Sequence, residues 1–253
     1  MNKKNRTLKA MAAIMLMIVV AGCNKPDEPN NGGNNGGGNN GGSSGTINGH
    51  EYVDLGLPSG IWWATCNVGA NTPEDLGDYF AWAEWETKFS YNWGTYKYCH
   101  DGDDHKLTKY CSNLDYGLGG FTDNSVQMEY VDDAAYKNWP GNSYGKMWRV
   151  PTFENWDELS DYCELVWTTR NGVKGMQFTG PNGKSIFLPA AGSRTDDSLD
   201  DVGEYGVYWT RSLYTEIPNR AWGFAFDSEE CFFGAAERCD GQSVRPVIVS
   251  TTD

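Results

Sequence analysis

The side chains best suited to chemistry are thiols, a few imidazoles and two dense runs of carboxylates. Thiols occur at Cys66, Cys99, Cys111, Cys163, Cys231 and Cys239, besides Cys23 near the start. A Cys-x-x-Cys pair is lacking, and the histidines are His50, His100 and His105, so the spacing does not spell a zinc motif. His100 and His105 flank Asp101, Asp103 and Asp104. Their five-residue step approaches helical spacing, but Gly102 and the acidic run argue for a solvated surface loop. Asp196, Asp197, Asp200, Asp201 and Glu204 form a second acidic loop. Neither run has the alternating oxygen ligands and central glycine of a calcium loop. A Ser/His/Asp arrangement, a Gly-x-Ser-x-Gly elbow, a phosphate loop and a dinucleotide fingerprint are all missing from the sequence. Two carboxylates facing each other for glycoside cleavage stay open, because the fold and not the spacing sets such a pair.

Aromatic rings are the second resource. They make up 14% of the chain, with 11 Trp and 14 Tyr. Trp62, Trp82, Trp148, Trp156, Trp209 and Trp222 read as core from their strand or helix positions. The excess falls in an irregular region, at Tyr91, Trp93, Tyr96, Tyr98, Tyr110, Tyr116, Tyr130, Tyr136, Trp139 and Tyr144. Rings beside Asn and Asp suit sugar stacking with hydrogen bonds to hydroxyls, and equally a protein interface. Trp93, Tyr96, Tyr98, Trp139 and Tyr144, with Asp196 and Asp197, are therefore the candidate ligand-binding residues. The alternative is that these rings pin long loops that lack regular backbone pairing.

The elements that must position these groups centre on Trp148-Arg149-Val150-Pro151-Thr152-Phe153. Proline forces Val150 into extended backbone, and Thr152 can cap a helix over about 153–164. Phe153, Trp156, Leu159 and Cys163 form its apolar stripe. Short strands are expected at 51–55, 61–68 and 79–85. A meander follows at 165–169, 175–179 and 185–188, with Asn171-Gly172 and Asn182-Gly183 as tight turns. Closing strands lie at 208–210, 222–226 and 243–249. Between Thr87 and Lys146 no period survives, a loop length that is unusual unless functional. The expected fold is α+β, one domain over 47–253 with one main helix, short irregular strands and long loops.

The N-terminus reads as an export signal. Lys3, Lys4, Arg6 and Lys9 precede an uncharged apolar run from Met11 to Ala21, which ends Val20-Ala21-Gly22-Cys23. This resembles the lipobox of bacterial lipoproteins and implies removal of residues 1–22 and acyl chains on Cys23, a stable membrane anchor. Residues 23–46, rich in Asn, Gly and Ser, form a flexible tether of about 25–29 Å root-mean-square span. Asp27 and Glu28 resemble the export signal of surface lipoproteins in Bacteroidota, so the expected location is the outer membrane, facing outward. In an exported chain six cysteines suggest disulfides. Fifteen pairings exist; proximity favours Cys99–Cys111 and Cys231–Cys239, leaving Cys66–Cys163, with burial as small apolar side chains the alternative for the last two.

Charge narrows the partners. The precursor carries −14; Lys3, Lys4, Arg6 and Lys9 leave with residues 1–22, which hold no acid, so the mature chain is near −18. Nucleic acid and anionic lipid head groups are excluded on this ground.

Three blocks together carry a family resemblance: Val53-Asp54-Leu55-Gly56-Leu57-Pro58-Ser59-Gly60-Ile61-Trp62-Trp63-Ala64, Trp148-Arg149-Val150-Pro151-Thr152, and Gly241-Gln242-Ser243-Val244-Arg245-Pro246-Val247. In order and spacing the chain resembles the Fibrobacter succinogenes major paralogous domain of Bacteroidota lipoproteins. The middle and last blocks are more distantly similar to formylglycine-generating enzymes, which implies a C-type lectin-like fold. That enzyme's Cys-x-x-x-x-Cys pair is not matched by Cys231 and Cys239, which stand eight apart. Lectin-type folds often hold calcium, which makes calcium a candidate ligand of the acidic loops. Glu216-Ile217-Pro218-Asn219 is similar to a lectin sugar-binding triplet, but Ile217 interrupts it and a turn is the better reading.

The expected function is a non-catalytic, membrane-tethered module that binds glycan or another surface protein. An enzyme of formylglycine-generating or glycan-cleaving type and an architectural envelope protein are the alternatives.

Overall fold

A computed structural model describes residues 44–141 and 145–250. The export signal, Cys23 and most of the tether lie outside the described residues. The chain is β-rich with few helices. No helix among the described residues is long and apolar enough to cross a membrane.

The first sheet has the order Ser44–Ile47, His50–Asp54, Trp62–Ala64, Val247–Ser250, Lys146–Arg149, antiparallel throughout. Its first strand takes Ser44 to Thr46 from the stretch read as tether. Opening, closing and middle blocks thus lie side by side. Strand alternation sends successive side chains to opposite faces. Trp62, Ile248 and Trp148 align across three strands, and Trp63 and Val247 align on the next register. Trp62, Ile248 and Trp148 join one hydrophobic core and Trp63 and Val247 the other, so this sheet separates the two.

A second sheet has the order Cys231–Glu237, Arg220–Phe226, Gly206–Leu213, Gln242–Ser243, Tyr79–Phe80. The expected meander forms a third sheet from Glu164–Arg170, Val173–Thr179 and Ser185–Pro189. Asn171 and Gly172 both take positive φ, 48° and 85°, as a two-residue turn of this hand requires. The third predicted strand is shorter than expected: it stops at Phe80, and Ala83 turns the chain at φ 61°. The acidic loop 194–205 is partly ordered into a hairpin, Ser193–Thr195 with Ser198–Asp200.

The main helix runs Phe153–Tyr162. Thr152 Oγ1 accepts from Asn155 N at 3.2 Å, and Asn155 Oδ1 accepts from Thr152 N at 2.9 Å, a reciprocal cap. Cys163 ends this helix as its C-cap and packs in the same core as Trp156 and Leu159. Trp156 stacks on Phe224 at 4.7 Å and 11°, seating the helix on the second sheet. The long region 87–146 carries small elements of its own: the hairpin Cys99–His100 with Asp103–Leu107, 3-10 turns at Leu118–Gly120 and Tyr130–Asp132, and a short helix Ala134–Asn138.

Candidate functional site

Much of the aromatic loop region is core: of the expected ligand residues Tyr96 and Tyr98 are packed inside, whereas Trp93 is half-buried and Trp139 lines a cavity. Tyr91, Tyr96, Tyr98, Tyr110 and Trp139 are all buried. Their hydroxyls and faces are used internally. Asp132, 2% exposed, accepts hydrogen bonds from the hydroxyls of Tyr98 and Tyr110 and from Lys109 Nζ at 2.6 Å. Burial alone would raise the Asp132 carboxyl, but these donors outweigh it and hold it below its usual range. Arg238, fully buried, lies over the rings of Trp82 and Tyr96 at 5.0 and 5.1 Å and donates to Tyr96 Oη at 2.9 Å. Trp93 is half-buried and donates its indole N–H to Glu237 Oε2 at 3.1 Å. Trp139 stacks on His50 at 3.8 Å and 9°, and His50 with Glu51, Thr65, Cys66 and Asn71 lines a cavity of about 280 Å³ beside it. Burial lowers the His50 pKa. Tyr144 lies outside the described residues.

Asp196 and Asp197 are exposed at the tip of the acidic hairpin. Asp196 is tied to the loop beside it, its Oδ1 accepting from Asn92 Nδ2 at 3.0 Å. Neither belongs, among the described residues, to a group of three or more metal-ligating side chains. Among the described residues the set that does converge is Glu237, Cys239 and Asp240, whose ligand atoms lie within 4.8 Å of one another. Burial and the Glu237 charge push the Asp240 carboxyl up to about 7.

The expected disulfides are not formed: all six described cysteines are free. Cys231 opens a seven-residue strand and Cys239 lies beyond its other end. At ~3.3 Å per residue the strand between them alone spans about 20 Å, whereas a bridge needs Cα atoms within ~7 Å. The Cys99 and Cys111 thiols each turn onto a backbone carbonyl instead, Asp103 O and Asn113 O, both at 3.1 Å. Cys163 packs in the second core, while Cys66 opens onto the cavity beside Trp139 of the first.

An accessible aromatic surface does exist, at a place the sequence reading assigned to the core. Trp222 is half-buried and lines a groove of about 350 Å³ with Val126, Gln127, Phe153, Glu154, Ser212, Leu213 and Thr215. The groove follows from a bulge. The pairing of Gly206–Leu213 with Arg220–Phe226 shifts register between Trp209 and Leu213. There Arg211 N donates to Pro151 O at 2.7 Å, Met128 N to Arg211 O at 2.8 Å, and Leu213 N to Val126 O at 2.9 Å. The strand is thus diverted onto the 126–128 loop and the start of the main helix. Bulges of this kind re-aim side chains at sheet rims and sites.

The groove's rings are held by their neighbours. Phe153, first residue of the main helix, stacks on Phe233 at 4.0 Å and meets Trp222 edge-on at 5.2 Å. Tyr214 contacts Trp222 on an 87° tilt at 4.9 Å. The polar groups are oriented too: Gln127 Nε2 donates to Ser212 Oγ at 3.0 Å, and Ser212 Oγ accepts from Phe153 N at 3.3 Å. The groove is shallow and open, with rings beside an amide, two hydroxyls and one carboxylate that can stack on and hydrogen-bond a ligand at the surface.

Comparison of the chain with family models, with curated proteins and with solved structures gives no match.

Proposed function

We propose that this chain is a lipid-anchored, outer-membrane binding module of lectin-like fold, and that its ligand is a neutral glycan held in the Trp222 groove. The observation that carries the reading is that groove: half-buried Trp222 and Phe153 side by side with Gln127, Glu154, Ser212 and Thr215 around them. Sugar rings offer C–H faces to aromatic side chains and hydroxyls to amides, carboxylates and hydroxyls. Glu154 and the acidic charge of the chain, −14 for the whole sequence and near −18 once Lys3, Lys4, Arg6 and Lys9 are removed, repel acidic sugars, so neutral or amino sugars fit better. The lectin-like fold is supported by the first sheet, where the three blocks of the family resemblance are neighbours.

A glycan-array screen of the full chain tests the reading. Binding to neutral or amino-sugar glycans with little to sialylated or uronic ones is the expected result. Uniform silence, or preference for acidic glycans, would overturn it. One observation favours a protein ligand as the second reading. Val126, at the groove's edge, belongs to the same loop as the exposed Leu114, Leu118 and Phe121.

A further inference from the structure

We propose that Glu237, Cys239 and Asp240 form a binding site for a divalent metal ion of borderline softness, of the zinc or cobalt class. The site is separate from the glycan reading and does not depend on it.

The three donors sit on the turn that follows the strand Cys231–Glu237. Asp240 N donates to Glu237 O at 3.0 Å, which brings the first and last donor to one side. The turn is clamped from outside. Gly241 exchanges backbone hydrogen bonds with Arg194 at 2.7 and 2.9 Å, and a Cβ on Gly241 would come within 2.7 Å of the Tyr91 ring. The donor positions are therefore fixed by a buried tyrosine and a hairpin.

The donor set selects the metal. Two carboxylates alone would favour calcium or magnesium, which take more oxygen ligands. Cys239 changes that. Its side chain is 2% exposed, its thiol donates to Glu237 Oε2 at 3.8 Å, and it lies within 4.8 Å of an Asp240 carboxylate oxygen. A buried thiol so placed, with two hard oxygens, suits a borderline ion. Bonds of ~2.0–2.3 Å put tetrahedral donors ~3.5 Å apart. The observed spread of up to 4.8 Å closes by about an ångström of side-chain rotation.

The surroundings fit the assignment. Trp93 Nε1–H holds Glu237 Oε2 at 3.1 Å, and Thr195 Oγ1 lies 3.5 Å from Asp240 Oδ1. Outer hydrogen bonds of this type orient metal ligands. The nearby Lys88 is committed elsewhere, to Glu84 at 2.6 Å and Thr95 O at 2.7 Å, whereas Arg220 Nη2 stands 3.9 Å from Glu237 Oε1 and offsets part of the pair's charge, leaving Oε2 as the ligand-facing oxygen. Three protein donors leave a fourth position for water or a further ligand.

The test uses the full chain, stripped with a chelator and titrated with Co²⁺ and then Zn²⁺ against a chromophoric competitor. One equivalent should bind, with a sulfur-to-cobalt charge-transfer absorption that zinc abolishes. Cys239→Ser should lose that absorption and at least tenfold in affinity. Glu237→Gln, at a partly exposed position, should weaken binding tenfold or more and keep the absorption. Trp93→Phe should weaken zinc ~10–100-fold, as outer-ligand changes do. Cys99→Ser should bind as the parent does. Absence of stoichiometric uptake, or a charge-transfer band that survives in Cys239→Ser, overturns the assignment.

Discussion

Arg245 Nε donates a 2.8 Å hydrogen bond to Asn67 Oδ1, joining residues 178 positions apart. The same guanidinium donates to Ala64 O and Thr65 O at 3.2 and 2.9 Å and to Phe187 O at 3.0 Å. One fully buried cation thus ties the closing block, the opening block and the meander through neutral oxygens. Asn67 is held in turn, its Nδ2 donating to Leu76 O at 2.8 Å.

Arg245→Ala should therefore destabilise the domain by at least ~3 kcal/mol, since several buried acceptors lose their donor at ~1–3 kcal/mol each. Arg245→Lys should recover little of that, because an ammonium cannot span the planar fork of partners. Urea denaturation of both variants checks this. Parent-like midpoints would contradict it.

Asp132 gives a pH signature. Its folded pKa is lowered, so its contribution is fully present above the ordinary carboxylate value of about 3.9 and drains as pH falls through the lower folded value. Asp132→Asn should cost about 3 kcal/mol at neutral pH, by leaving Lys109 and two tyrosine hydroxyls without their anion. It should also flatten the loss of stability below pH 4. Melts of parent and variant from pH 7 to pH 2 show whether the curves converge in acid.

The cysteines should behave as thiols. Besides Cys23, six thiols should titrate in denaturant without reductant. In the native protein Cys66, Cys99 and Cys231, which are partly exposed, should react before Cys111, Cys163 and Cys239, which are buried. Burial pushes the Cys163 thiol up to about 12, which slows it further. Intact mass after alkylation counts them; a deficit of two hydrogens per pair would mark a bridge.

Local signals were legible before the structure, and long-range ones were not. Thr152 announced the main helix, and Asn171-Gly172 announced a hairpin turn, because both act within a few residues. Trp82, Trp148, Trp156 and Trp209 were read inward and are buried, whereas Trp62 and Trp222 are half-buried, and Trp63 is buried though nothing in the strand pattern singled it out over Trp62. The strand Cys231–Glu237 was missed, since Gly234, Ala235 and Ala236 carry little strand preference. The loop aromatics misled for a different reason. Core and binding rings have the same composition, and the partner that makes Tyr96 a core residue, Arg238, lies 142 positions away. The groove depends on a bulge set by pairing with the 126–128 loop, which has no local signature.

The ring that matters for binding should be Trp222 and not the buried tyrosines. Tyr96→Phe and Tyr98→Phe should lower stability by ~1–3 kcal/mol, through lost buried hydrogen bonds, and leave glycan affinity unchanged in the folded fraction. Paired thermal melts and binding titrations separate the two effects.

The most direct test is calorimetric titration of an array-selected neutral glycan into the parent chain, Trp222→Ala and Asp197→Ala, each confirmed folded. The groove assignment predicts a loss of at least tenfold, about 1.4 kcal/mol, for Trp222→Ala, and parent affinity for Asp197→Ala at the exposed hairpin tip. Parent affinity in Trp222→Ala, or a loss confined to Asp197→Ala, would contradict it.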